Sequence, residues 1–327
     1  MEKQSQQSPY KAFLKLETGA HTARINQLLV SPDEKHLITA GNDKTVRVWN
    51  IESKKQEKML LGRIGTGPRG NIQRIALHPD GKYLAVLAWM YPADSEDQQE
   101  CISELRIYDL SSGNLQQNIE FNGTLWDVDF SSDGKFILIV GSKREDVPHL
   151  YILKVKDEKE GALKDFDDLL SATKIPLHNT YELFPAYARF VPNKEKEPAE
   201  LKISAATWTK NGTGVAKWFS LKPGQEKIKL HQIKKRELKF SPESLAVSSE
   251  FTIITAHHNK DKKQLYCYDH SGKFIGGTPS ETFVAQPAFS KDGKQLIVGQ
   301  ADDSELNQVK VFTINEGILR LKSTYYG

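Results

Sequence analysis

A short turn that recurs along the chain restricts the possible folds more than any other feature of the sequence. Five copies are found, VSPDEKHL at 30–37, LHPDGKYL at 77–84, FSSDGKFI at 130–137, FVPNKEKE at 190–197 and FSKDGKQL at 289–296. Proline fixes φ, and aspartate and glycine tolerate a left-handed backbone, so this turn favours a tight hairpin between two strands. Its return at intervals of about 45–60 residues predicts a fold built from similar units.

Each unit has a further alternating segment that is typical of a strand. These segments are TVRVWN at 45–50, ELRIYDL at 104–110, HLYILKV at 149–155, GVAKWFSL at 214–221 and QVKVFTI at 308–314, and a degenerate sixth unit covers 244–270. Three strands and one more in each connector make a four-stranded sheet, and a ring of such sheets protects their edges. One sheet alone cannot cover both of its apolar faces, so the units must stack on one another.

The first unit resembles a WD repeat most clearly, through GAH at 19–21, SPDE at 31–34 and TAGNDKTVRVWN at 39–50. The whole chain is similar in pattern to the WD-repeat β-propeller family, which implies an all-β propeller of four-stranded antiparallel blades with six recognisable repeats. The resemblance also implies a structural, hydrogen-bonded tetrad of His, Ser or Thr, Asp and Trp. By position its members here are His21, Thr39, Asp43 and Trp49.

More loosely, the chain resembles propellers that bacteria attach to caspase-like or other effector domains. The segments ELRIYDLSSGNL and QVKVFTI carry this second resemblance. It implies a sensor or docking module within a larger effector protein, of which only the propeller part would be present.

The strands at the two ends of the chain leave the number of blades open. Residues 1–10 are expected to form a flexible tail, and 11–327 a single propeller domain. A leading strand, KAFLKLE at 11–17, and a trailing strand, ILRLKST at 318–324, compete for the outer edge of the last blade. Either six blades close with one of these strands displaced, or the chain is a fragment and a seventh blade follows.

Three insertions interrupt the repeat. Residues 89–103 lengthen a turn that family geometry places on the top face, and 156–174 lie on the opposite face. Residues 222–239 carry seven Lys or Arg and are expected to form an outer edge strand, where basic residues oppose aggregation. A patch for nucleic acid or an acidic partner is the alternative interpretation of this strand.

Composition and motifs argue against catalysis. The formal net charge is +3, from 45 basic and 42 acidic residues, which does not indicate nucleic acid as a partner. No nucleophile elbow, zinc-protease motif or Walker loop is present, so we expect no enzyme, no cofactor and no metal. A propeller lactonase or lyase is the enzymatic alternative, and Asp127 and Asp129 are expected to be solvated residues of the channel.

The two cysteines and the polar N-terminal segment are typical of a cytoplasmic protein without membrane contact. We expect a monomeric propeller that acts as a protein–protein interaction scaffold or sensor. Its partner site is predicted where the innermost strands begin, at one rim of the channel. The predicted rim residues are Arg24, Asn26, Gln73, Trp126, Phe184 and Phe283, because Arg and large aromatics are frequent interface anchors.

Overall fold

The computed structural model describes residues 19–62, 69–90, 102–143, 147–155, 173–177, 186–193, 199–209, 212–223, 228–257, 263–279, 283–284, 287–301 and 308–326. Within these ranges the regular elements are β-strands, and they pair antiparallel in consecutive sheets. We call each four-stranded unit a blade and number the blades along the chain.

The first three blades are formed as follows. Blade one comprises β1 (Ile25–Val30), β2 (His36–Gly41), β3 (Thr45–Asn50) and β4 (Gln56–Leu61). Blade two comprises β5 (Ile72–Leu77), β6 (Tyr83–Met90), β7 (Ile102–Asp109) and the first half of β8 (Leu115–Phe130). Blade three comprises the second half of β8, then β9 (Phe136–Lys143), β10 (His149–Lys154) and β11 (Thr173–Pro176).

The last three blades repeat this order. Blade four comprises β12 (Ala186–Phe190), β13 (Leu201–Trp208), β14 (Gly214–Leu221) and β15 (Leu230–Leu238). Blade five comprises β16 (Ser241–Val247), β17 (Phe251–His257), β18 (Lys263–Asp269) and β19 (Phe274–Pro279). In blade six the innermost strand is split into β20 (Phe283–Val284) and β21 (Ala288–Phe289), followed by β22 (Gln295–Ala301), β23 (Gln308–Asn315) and β24 (Ile318–Tyr326).

The recurring turn has the tight geometry that its sequence predicts. The fifth residue of the quoted segment has a positive φ in four copies, 60° at Glu34, 76° at Gly81, 71° at Gly134 and 70° at Gly293. The backbone N–H of that residue donates to the carbonyl of the segment's second residue, for example from Gly134 to Ser131 over 2.9 Å. Each turn therefore closes the hairpin between the two innermost strands of its blade.

Apolar side chains fill the junctions between blades. Five clusters of buried residues in the described ranges join blade one to two, two to three, three to four, four to five and five to six. At the first junction, Ile38 and Val46 of blade one pack with Ile72 and Ile75 of blade two. Burying one such side chain stabilises the fold by about 1.5–3 kcal/mol, so the stacked faces are the main source of stability.

The all-β fold with four-stranded antiparallel blades is confirmed, and the described residues form six blades. The trailing segment ILRLKST lies within β24, which forms the outer strand of blade six. The leading segment 11–17 and the expected tail 1–10 lie outside the described residues. The basic segment 222–239 contains β15, which is the outer strand of blade four as expected.

Strand β8 passes without a break from the outer edge of blade two to the inner edge of blade three. Residues up to Asn122 pair with β7, and residues from Gly123 pair with β9. Gly123 has a φ of 149°, and a Cβ added there would lie 2.3 Å from the backbone oxygen of Ser142. The transfer of the chain between these blades therefore requires glycine.

We expect Gly123→Ala to lower the free energy of unfolding by more than about 2 kcal/mol, because the methyl group clashes with backbone that cannot move aside. The matched control is Gly212→Ala, whose φ is also positive at 69° but whose Cβ would meet no atom within 4 Å. It should cost only about 1 kcal/mol of backbone strain. Urea denaturation of both variants measures the difference, and equal losses would contradict the steric argument.

Candidate functional site

The four tetrad residues of blade one are connected in a chain of hydrogen bonds. Trp49 Nε1 donates to Thr39 Oγ1 over 2.8 Å, and Thr39 Oγ1 lies 2.7 Å from His21 Nε2. His21 Nδ1 lies 3.0 Å from Asp43 Oδ2. Since the indole can only donate, a neutral His21 accepts from the Thr39 hydroxyl and points its Nδ1 proton at Asp43. These hydrogen bonds therefore connect the segment before β1 with β2, with the turn after β2 and with β3.

Asp43 is held as a carboxylate in this buried position. Burial raises the pKa of its carboxyl, but hydrogen bonds from Thr45 and His21 outweigh burial and hold the pKa below its usual value. The Thr45 hydroxyl donates to Asp43 Oδ1 over 2.8 Å, and the guanidinium of the buried Arg47 lies 3.7 Å from Asp43 Oδ2. The Asp43 carboxylate is therefore occupied by contacts within blade one, which is what a structural role requires.

A second network of side-chain hydrogen bonds, which the sequence analysis missed, joins blades four and five. The Thr252 hydroxyl lies 2.7 Å from the Ser204 hydroxyl and accepts from Trp218 Nε1 over 3.4 Å. His270 Nδ1 lies 3.4 Å from the same hydroxyl, and its Nε2 lies 3.0 Å from the Ser248 carbonyl. Burial lowers the pKa of His270. Its Trp and Thr belong to different blades, so a search for the tetrad within one repeat cannot find it.

Polar side chains of the innermost strands link blade one to blade two and blade three to blade four. Gln27 Oε1 of blade one accepts from the Ile75 N–H of blade two over 2.8 Å. Asp127 Oδ2 of blade three accepts in the same way from the Ala188 N–H of blade four over 3.1 Å. Asp129 Oδ2 accepts from the Phe190 N–H over 2.8 Å. These bonds fix the spacing of the inner strands.

The prediction that Asp127 is a solvated channel residue is wrong. Its side chain is 1% exposed and forms an ion pair with Arg189 of blade four. Arg74 of blade two approaches from the other side, with its Nε 3.7 Å from Asp127 Oδ1. Asp127 is buried because it satisfies two arginines and a backbone N–H at once. Asp129 is half-buried, and burial raises the pKa of its carboxyl to about 7 despite the attraction of Arg189.

The structure places three of the predicted rim residues at the end of the channel where the inner strands begin, which we call the top rim. Arg24 is exposed there, and the Asn42 N–H of the neighbouring turn donates to its carbonyl. Asn26 is half-buried and donates to the Ile72 carbonyl over 2.7 Å, and Gln73 is also half-buried. In blade five, burial raises the pKa of the Glu243 carboxyl to about 7, although the positive charge of Arg24 lowers it.

The expectation that Trp126 is an exposed anchor on this rim is wrong. A register shift between Leu125 and Asp127 interrupts the pairing of β8 at this residue. Trp126 is buried among apolar side chains such as Leu138 and Ala186, in the cluster between blades three and four. It therefore contributes to the core.

The remaining expected features lie partly outside the described residues. Phe184 lies outside them, and Phe283 is in β20 but its side chain is not described. Of the insertions, residues 91–101 and 156–172 also lie outside.

A cavity of about 940 Å³ occupies the space between the inner strands. Apolar side chains from blades one, five and six line it, including Leu28, Leu245 and Ile297. Asp129 and Arg189 reach it from the opposite side, and both also line a smaller neighbouring cavity of about 220 Å³. The described residues contain no group of three or more His, Cys, Asp or Glu side chains that could hold a metal ion. None of the described segments is a helix that could cross a membrane.

Comparison with known proteins finds sequence similarity over parts of this chain. The family model "WD domain, G-beta repeat" matches residues 14–50. Cilia- and flagella-associated protein 52 of Sus scrofa is 31% identical over 84 residues, 24% of this chain and 13% of that protein. Target of rapamycin complex subunit LST8-1 of Arabidopsis thaliana is 49% identical over 43 residues, 13% of this chain and 14% of that protein.

A longer match is to target of rapamycin complex subunit wat1 of Schizosaccharomyces pombe, which is 29% identical over 106 residues, 32% of this chain and 29% of that protein. The matched segments thus cover less than a third of each of these three relatives. The three come from eukaryotes, and none of their names supports the resemblance to bacterial effector proteins. Among solved structures, that of the RRP9 WD40 repeats aligns with a TM-score of 0.62 at 14% identity, covering 93% of this chain and 81% of that one.

We expect Thr39→Val to lower the free energy of unfolding by roughly 1–3 kcal/mol. Valine keeps the shape of threonine but leaves the Trp49 N–H and His21 Nε2 without their shared partner. Thr22→Val is the matched control, since the side chain of Thr22 is exposed and its backbone N–H to Asp43 is retained. Thermal denaturation followed by tryptophan fluorescence measures both variants. If the two lose equally little, the tetrad contributes nothing to stability.

We expect Asp129 to make the protein more stable at mildly acidic than at mildly alkaline pH. Its carboxyl has a pKa of about 7 in the fold against an ordinary value of 3.8, so the folded protein binds this proton more tightly. The free energy of unfolding then decreases as pH rises from about 4 to about 7, and levels off above. Asp129→Asn should flatten the profile and leave the smaller slope due to Glu243. Urea titrations across this range provide the measurement, with exposed Glu250→Gln as control; an unchanged slope in Asp129→Asn would refute the assignment.

Proposed function

We propose that the chain is a WD-repeat β-propeller and a non-catalytic scaffold that binds another protein through the top rim. The observation that carries this proposal is an exposed cation, Arg24, directly before the inner strand of blade one. Half-buried Asn26 and Gln73 lie on the same rim and supply further hydrogen-bonding groups. A rigid rim of this composition suits protein recognition, because little side-chain freedom is lost on binding.

The names of the relatives support the same conclusion at a coarser level. Two are called subunits of the target of rapamycin complex, and one is called a cilia- and flagella-associated protein. Because those names describe proteins that work within assemblies, we extend only the general role of a complex component to this chain. The identity of its partner is a separate question, since the matches cover small parts of those proteins.

A photocrosslinking residue placed at position 24 should capture a protein in the source cells that the same residue at position 294 does not capture. Arg24 and Lys294 are both exposed cations, but Lys294 adjoins the Ser290–Gly293 turn at the opposite end of its blade. The captured partner should then bind Arg24→Ala about tenfold or more weakly than the wild type, and Lys294→Ala equally well. Identical captures from both positions, or full affinity of Arg24→Ala, would place the partner site elsewhere.

A further inference from the structure

The outer strand of blade four concentrates positive charge. Residues 228–240, which comprise β15 and the two residues on either side of it, carry five Lys or Arg and a single acid, Glu237. The five cations are Lys229, Lys234, Lys235, Arg236 and Lys239. The formal net charge of this segment is thus +4, which exceeds the +3 of the whole chain. We call residues 228–240 the basic strand.

The outer strands of the other blades do not share this charge. In the described residues, β19 of blade five has no charged side chain, and the first half of β8 has only Glu120. One cation stands on β4, Lys58, and one on β11, Lys174, and β24 has two, Arg320 and Lys322. Protection of exposed edges against association would call for charge on all of these strands. Edge protection alone therefore does not explain the basic strand.

Most of this charge is not neutralised within the molecule. Three of the five cations are in no ion pair with the residues that the structure describes, namely Lys229, Lys234 and Lys239. Lys235 Nζ lies 3.8 Å from Glu237 Oε1, but the two side chains are 49% and 84% exposed, so this pair is weak. On the adjacent strand β14, burial and the positive charge of Lys235 lower the pKa of Lys217. The cations therefore repel one another, and an acidic partner would relieve this repulsion.

The cations alternate between the two faces of the blade. Residues that stand opposite each other on adjacent antiparallel strands share a face. Lys235 is paired with Lys217, which donates to a carbonyl of blade three. Lys234 is paired with Trp218, which packs in the cluster between blades four and five, and Arg236 follows on that same face. A strand beside β15 must therefore present acids on both of its faces, as consecutive Asp or Glu residues do.

The outer edge of β15 offers a backbone template for such a strand. β15 pairs with β14, and no described strand pairs with its other edge. The register shifts at Ile233, so the regular part of the edge runs from Lys234 to Leu238 and contains three of the cations. An extended peptide adds to an edge of this kind through main-chain hydrogen bonds, while its side chains provide specificity. Residues 228–240 expose no Phe, Tyr or Trp on which the bases of a nucleic acid would stack.

We propose that the basic strand binds an extended acidic segment of another protein, which adds to β15 as a fifth strand of blade four. Consecutive Asp or Glu side chains of that segment lie beside Lys235 on one face and beside Lys234 and Arg236 on the other. The basic strand lies at the outer edge of its blade, whereas the top rim lies at the channel. The two sites therefore stand or fall independently.

A labelled peptide with a run of consecutive glutamates, flanked by valine and threonine, is the probe, and its fluorescence anisotropy is measured with the full chain. We expect saturable binding that weakens as salt is added. The double variant Lys234→Glu, Lys235→Glu should bind at least about tenfold more weakly, because two attractions become repulsions. The matched control is Arg320→Glu, Lys322→Glu, which reverses two exposed cations on β24, also an outer strand of nine residues. This control and Arg24→Ala at the top rim should both bind as the wild type does.

Two modified probes separate loss of the site from loss of the fold and from loose ionic contact. A probe with lysines in place of the glutamates should bind the Lys234→Glu, Lys235→Glu variant and not the wild type, which a misfolded variant could not achieve. Glutamate probes with N-methyl groups on alternate residues, one set for each edge of the peptide, test the backbone pairing. One set should bind at least about tenfold more weakly than the unmodified probe, and the other should bind equally well.

Unchanged binding by the charge-reversed variant, or an equal loss in the β24 control, would overturn the proposal. Loss of binding in Arg24→Ala would place the probe at the top rim and contradict a site on blade four. Equal binding of both N-methylated sets would exclude strand addition. A single-stranded oligonucleotide that displaces the probe at a lower concentration than the unlabelled peptide does would assign the basic strand to nucleic acid instead.

Discussion

Every blade depends on its neighbours, because a four-stranded sheet with two apolar faces cannot leave both of them in water. The consecutive apolar clusters meet this requirement along the chain from blade one to blade six. Near the axis, where the sheets are closest, backbone N–H groups of one inner strand also need acceptors. Gln27 and Asp127 supply them from the preceding blade, so polar and apolar contacts enforce the same stacking.

The buried charges of the channel follow from this arrangement. Asp127 can leave water only because Arg189 and Arg74 flank it and the Ala188 N–H donates to it. An isolated carboxylate at that position would cost several kcal/mol. Arg24, directly before the first inner strand, stays exposed. The buried charges of the inner strands are thus paired with one another, while the charge of Arg24 at the rim is available to a partner.

Much of the architecture could be predicted from the sequence because its determinants are local. The Pro, Asp and Gly of the recurring turn act within four residues, and strand alternation acts within six or eight, so both are visible without coordinates. The tetrad residues His21, Thr39, Asp43 and Trp49 could be assigned to one hydrogen-bonded set because a single repeat contains them all, and their contacts connect them in the structure.

Features that depend on contacts between blades could not be predicted in this way. Trp126 stands at a position that the repeat count assigns to the rim, but its side chain packs into the apolar cluster between blades three and four. The network around Thr252 combines residues from two repeats. Leu28 and Ile75 are aliphatic residues at the same place in their repeats, and only the three-dimensional arrangement shows that one is exposed and the other buried.

The unbroken strand β8 has a mechanical consequence for the molecule. It belongs to two sheets at once, so blades two and three cannot separate without stripping backbone hydrogen bonds from β7 or β9. Hydrogen exchange should therefore reveal these two blades as one cooperative block. Blades six and one are joined at their turns by the solvent-exposed ion pair of Lys291 with Glu34, so thermal opening should begin at this weaker connection.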